Sequence, residues 1–156
     1  MSDHAVDLIA ALEIKNAPAF AAASRRARTS EAELKRTVDS LLISVTSPDA
    51  SRAKLAIDAL RFSGLALDGS ARQKLVEAVE RMYPAEVLER MASDELTRER
   101  RAQAKQSVQL ELLKSVIMAM LRDGGARQAA FVRLAETTLE GTGLGAEIRA
   151  WRIGNT

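Results

Sequence analysis

Few residues in this chain have the type and spacing that chemistry needs. The single histidine, His4, stands between Asp3 and Asp7, a grouping that could offer three ligands to a divalent metal. The same carboxylates suit the positive end of a helix, and that reading prevails, so no metal and no cofactor is expected. There is no cysteine and no second histidine, which removes the usual nucleophile–base pairs of covalent catalysis. Glu77 with Glu80, and Glu86 with Glu89, sit at helical spacing among arginines. They read as solvated charge partners and not as an acid–base couple. Gly141-Thr142-Gly143-Leu144-Gly145 has the glycines of a phosphate loop, but such a loop follows a strand and leads into a helix bearing Lys. Here a helical pattern precedes it and Glu147 follows, so a helix C-cap and linker is expected. Trp151 reads as an apolar anchor for the tail. No catalytic residue is assigned, and the chain is expected not to be an enzyme.

One stretch has a different character. Phe20-Ala21-Ala22-Ala23-Ser24-Arg25-Arg26-Ala27-Arg28 is followed by Thr29-Ser30, then by Glu31-Ala32-Glu33-Leu34-Lys35-Arg36-Thr37-Val38. The pattern is helix, short turn, helix. Alanines let two helices approach closely, and Ser30 with Glu33 forms a capping box for the second. Between Arg25 and Arg36 five basic residues face two acidic ones, a balance that suits phosphate contacts.

Residues 8–42 resemble the helix-turn-helix of LysR-type transcriptional regulators. In that family a Phe opens the first helix, as Phe20 does here, and an Arg precedes the turn. A Ser starts the recognition helix, and apolar and basic residues follow at the spacing of Leu34, Arg36, Val38 and Leu41. Leu8-Ile9-Ala10-Ala11-Leu12-Glu13 is similar to the helix before it. Ala27 and Thr29 depart from the pattern, standing where the family has larger apolar residues, and nothing after Val45 resembles the rest of such a regulator. The resemblance implies binding to double-stranded DNA, with Ser30, Glu31, Lys35 and Arg36 toward the groove and Arg25, Arg26 and Arg28 on phosphates.

The elements that position these residues are helical. Apolar residues make up 47% of the 156, aromatics only 3%, and Pro and Gly are few. An all-α fold is expected: a compact bundle of five to eight helices with one long axial helix over about residues 93–122. Ser93 would cap that helix, and Asp123-Gly124-Gly125 would end it. Ser30, Ser47 and Ser70 read as further caps. The expected organisation is a single domain, 1–156. Within it 1–46 is helix-turn-helix-like, 47–140 is a bundle and oligomerisation region, and 141–156 is a flexible C-terminal tail.

Net charge is +2 and the pI near 9.2, compatible with nucleic acid. No apolar run approaches the ~20 residues of a spanning helix, so no membrane association is expected, and the absence of cysteine points to the cytoplasm. The leading expectation is a small DNA-binding regulatory protein acting as a homodimer, with Leu96, Arg98, Arg101 and Trp151 at the dimer interface. The alternative is a protein–protein interaction module, namely an adaptor, inhibitor or secretion-associated chaperone. A small DNA-packaging subunit of a phage-like element would share the same plan.

Overall fold

A computed structural model of the chain describes residues 3–101 and 107–154. The described residues form nine helices and no strand. By contacts the chain divides into two compact units, Met1–Leu75 and Val76–Thr156. The division falls at neither 46/47 nor 140/141.

The first unit contains α1 (His4–Glu13), α2 (Ala17–Ala27), α3 (Glu31–Val45) and α4 (Ala50–Phe62), and α5 (Gly69–Met82) begins in it. Each start is fixed by a side-chain oxygen on an orphan amide. Asp3 accepts from Ala5 and Val6, Asn16 from Ala19, Ser30 from Glu33, Asp49 from Ser51, and Asp68 from Ala71. Aspartates therefore cap α4 and α5, where Ser47 and Ser70 were expected. A carboxylate accepts more strongly than a hydroxyl and also meets the helix dipole.

Packing in this unit centres on α1 and α3. Ala5, Leu8, Ile9 and Ala11 of α1 are buried, and α1 lies against α2, α3 and α4. Val38, Leu41, Leu42 and Val45 give α3 its buried face, which packs on Ala53, Ala56, Ile57 and Leu60 of α4. Burying each such Leu, Ile or Val contributes about 1.5–3 kcal/mol. On α2 the buried residues are small (Ala23, Ser24 and Ala27), so that helix sits close to its neighbours.

The second unit holds the end of α5 with α6 (Ala85–Arg100), α7 (Val108–Asp123), α8 (Ala126–Thr138) and α9 (Gly143–Gly154). Its centre is α8, which packs on α6, α7 and α9. Phe131, Val132, Ala135 and Leu139 are buried there with Leu113, Val116, Ile117 and Met120 of α7. Gly124 ends α7 at φ +72, a left-handed residue whose N–H donates to the Met120 carbonyl.

Two expectations are corrected in this unit. No single helix runs over 93–122. Ser93, the expected cap, is an exposed residue inside α6, which starts after Pro84 and ends at Arg100. A separate helix starts behind Ser107, whose Oγ accepts from the Leu110 N–H at 3.2 Å. The residues before Ser107 are almost all polar. Gln103, Lys105 and Gln106, expected in the axial helix, lie outside the described residues. Nor is the described part of the expected tail, up to Gly154, without regular structure. Gly143–Gly154 is helical, and Leu144 and Ile148 are completely buried. The break adds no helix, because its upstream half joins the segment after Pro84 in α6, and α9 takes the described count to nine, one above the expected five to eight.

Gly145 shows why the glycine-rich turn exists. A Cβ at that position would drive into the Leu139 carbonyl, so only glycine lets the first turn of α9 approach the end of α8.

Candidate functional site

The helix pair expected to meet DNA is α2 and α3, joined by Arg28, Thr29 and Ser30 alone. The turn is tightly tied. The Arg28 and Thr29 amides donate to the Arg25 and Arg26 carbonyls, and the Thr29 hydroxyl donates to Arg26 O at 2.8 Å. Ser24, which replaces an alanine of the regulator pattern, satisfies its buried hydroxyl by donating to Phe20 O at 2.9 Å. Ser30 adopts extended geometry, and its Oγ accepts from the Glu33 N–H at 3.1 Å. The N-terminal turn of α3 is exposed at Ser30, Glu31 and Ala32.

The basic side chains have distinct surroundings. Arg25 and Arg26 are exposed at the end of α2, with Arg26 3.7 Å from Asp7 of α1. Arg28 donates through Nη1 to the Ser63 carbonyl at 2.6 Å, just beyond α4. It ties the end of α2 to the end of α4, and the residue stays exposed. Lys35 lies 3.5 Å from Asp39, and Arg36 3.5 Å from Glu33. Glu33 also meets His4 Nε2 at 3.1 Å. Thus Glu33 answers a histidine and an arginine from two helices. The capping box predicted its amide bond, but nothing in the spacing announced His4.

The four expected groove residues do not all share one face. Glu31 and Lys35, with Leu34, Val38 and Asp39, line a cavity of about 390 Å³ closed by Ala66, Asp68, Ser70 and Ala71. Arg36 stands off that cavity, on the side of Glu33. The structure therefore brings Arg25, Arg26, Ser30 and Glu31 to the ends of two joined helices, and separates Lys35 from Arg36 around α3.

Charge is unevenly distributed along the chain. Residues 1–75 carry eleven Lys and Arg against nine Asp and Glu, while residues 76–156 carry twelve of each. The whole net charge of +2 thus belongs to the part that bears the helix pair.

The expected dimer residues are found in the second unit. Leu96 and Trp151 are half-buried, and Arg101 is exposed behind α6. Arg98 donates through Nε to both oxygens of buried Glu95, at 2.9 and 3.1 Å, and the pairing raises its already high pKa. Glu99 accepts from the Gly143 N–H at 2.7 Å. Glu95 and Glu99, the acids that flank the expected dimer residues, are therefore both engaged within the chain. Glu77 and Glu80 both turn to Arg127 of α8 and tie α5 to it.

Asp3 caps α1, His4 pairs with Glu33, and Asp7 faces Arg26, so these three do not converge. Among the described residues no group of three or more His, Asp or Glu is placed to hold a metal. No helix among them is long and apolar enough to cross a membrane. No protein-family model, curated protein or solved structure matches the chain.

Proposed function

We propose that this chain is a non-enzymatic DNA-binding protein that docks the N-terminal end of α3 into the major groove. The observation that supports the reading is the three-residue turn. It joins an exposed, arginine-bearing end of α2 to an exposed, side-chain-capped start of α3, with α1 packed behind both. Arg25 and Arg26 contact phosphates, while Ser30, Glu31 and Lys35 reach base edges. Arg36 contributes from the flank of α3, and Arg28 holds the pair in place through Ser63. The surface pairs Arg26–Asp7 and Lys35–Asp39 are exposed and each contributes about 0–1 kcal/mol, so phosphates can displace them at little cost. A homodimer through the second unit, with Leu96, Arg101 and Trp151 at the contact, supplies two helix pairs to one duplex. Titration of labelled duplex DNA at low salt tests this. Retardation that disappears in Arg25→Ala/Arg26→Ala supports the reading, and no retardation of any duplex removes it.

A second reading rests on Ile43. This side chain of α3 is 74% exposed and lies two helical turns beyond Arg36 on the same face. An apolar residue so placed suits a protein partner seated along α3. Ile43→Lys abolishes that association and leaves DNA binding intact, which separates the two readings.

A further inference from the structure

The turn between α8 and α9 borders a second cavity, of about 640 Å³, lined from both helices. Arg133, Glu136 and Thr137 come from α8, and Arg149 and Arg152 from α9, with Glu140 at the turn. Arg152 and Glu136 form a bidentate pair, Nε to Oε2 at 2.6 Å and Nη2 to Oε1 at 3.1 Å. Arg152 holds the Glu136 carboxyl below the usual carboxylate range, first through this hydrogen bond and then through charge, and Arg149 and Arg133 add to the effect. Three guanidinium groups and two carboxylates, Glu136 and Glu140, thus line the cavity, and Glu136 is taken up by Arg152. Among the described residues, Arg133 and Arg149 are exposed and neither is drawn into an ion pair.

We propose that this cleft binds a small phosphate monoester, its phosphoryl group held between Arg133 and Arg149. Arg133 and Arg149 stand on facing helices and outside any ion pair, and the planar guanidinium fork suits phosphoryl oxygens. A single carboxylate would leave one arginine unanswered. The cavity volume lies within the range of small-molecule sites, about 300–1,000 Å³, so the phosphoryl group alone leaves most of it unfilled. An organic group attached to the phosphate occupies the remainder. Glu140 stands at the turn and repels a second anionic group, which favours a monophosphate over a polyphosphate. The arginines, and not the start of α9, provide the grip. The Gly143 amide is taken by Glu99, and the Thr142 hydroxyl donates to Leu139 O while accepting from the Gly145 N–H. Glu147, which the sequence sets against a phosphate at this turn, points elsewhere and lies 3.6 Å from Lys114.

The test is calorimetric titration of the full chain with adenosine monophosphate, inorganic phosphate, adenosine diphosphate and duplex DNA in separate arms. The monophosphate is expected to bind saturably, and more tightly than inorganic phosphate or the diphosphate. Arg133→Gln/Arg149→Gln, with an unchanged circular dichroism spectrum, weakens it at least about tenfold, the effect of losing charge-assisted hydrogen bonds. Glu140→Gln leaves monophosphate binding in place and improves that of the diphosphate. Absence of monophosphate binding at millimolar concentration overturns the proposal, as does unchanged affinity in the double arginine variant. Equal affinity for inorganic phosphate overturns the organic ligand. Displacement of the monophosphate by duplex DNA assigns the cleft to phosphodiesters instead.

Discussion

Arg28 reaches from the end of α2 to the carbonyl of Ser63, thirty-five residues further along the chain, with Nη1 2.6 Å from the oxygen. The bond fixes the helix pair against the end of α4, where Gly64 turns the chain at φ +73. It also explains why a basic residue ends α2. The guanidinium satisfies a carbonyl that α4 leaves open. Arg28→Ala is expected to lower stability by about 1.5 kcal/mol, the lower end for a hydrogen bond from a charged donor at a partly exposed site. Urea unfolding would show it as a lower midpoint at unchanged slope, and no loss would mean that the bond does not hold the pair.

Tyr83 gives a prediction in pH. Its hydroxyl is buried beside Phe131, with ring centroids 6.0 Å apart, and finds no hydrogen-bond partner among the described residues. Burial pushes the phenol well above its ordinary value. An acid whose pKa is raised by folding adds stability that is present below the unfolded pKa, about 10, and is lost as pH rises through the folded one. Tyr83→Phe should remove this alkaline loss. At neutral pH it should match or exceed the parent stability by about 1 kcal/mol, since no buried hydroxyl is left unsatisfied. Thermal melts between neutral and strongly alkaline pH decide it.

The Glu136–Arg152 pair acts at the other end of the pH scale. Arg152 lowers the Glu136 pKa, so the pair stabilises the fold above the ordinary carboxylate range and loses its effect as pH falls through the lowered value. Arg152→Gln should return the Glu136 titration toward the ordinary range and flatten the acid limb of stability. Carboxyl-resolved NMR titration reads the shift directly, and an unmoved Glu136 would contradict the assignment.

Gly145→Ala is expected to cost about 1–3 kcal/mol, because the added methyl overpacks against the backbone of Leu139. Gly69→Ala, where a Cβ meets nothing within 4 Å, should be near neutral. Equal effects of the two would mean that the close approach of α8 and α9 is not real.

Much of this architecture was legible in the residue pattern. The many apolar residues with few Pro and Gly pointed to an all-helical fold, and Ser30 marked the start of α3. What misled was local chemistry read without its competitors. Ser47 and Ser70 resemble caps, yet Asp49 and Asp68 stand two residues away and bind the amides. Residues 93–122 lack Pro and Gly, which permits one helix without requiring it, and Ser107 caps a new one. Three glycines at 141–145 suggested a loose tail, although Gly145 serves close packing. At the helix pair, sequence identified the basic residues but not their partners. Ser63 and His4 reach Arg28 and Glu33 only through the tertiary fold, and so does the grouping of Arg133 and Arg149 around Glu136.

The most direct test of the central claim is the salt dependence of duplex DNA binding by the full chain, measured by fluorescence anisotropy. Each phosphate contact adds about 0.9 to the slope of log K against log salt concentration. Arg25→Ala/Arg26→Ala should reduce that slope by about 2 and weaken binding uniformly across sequences. Lys35→Ala should instead relax the preference among duplexes. A wild-type chain that shows no binding at low salt, or a slope unchanged in the double arginine variant, would contradict the account.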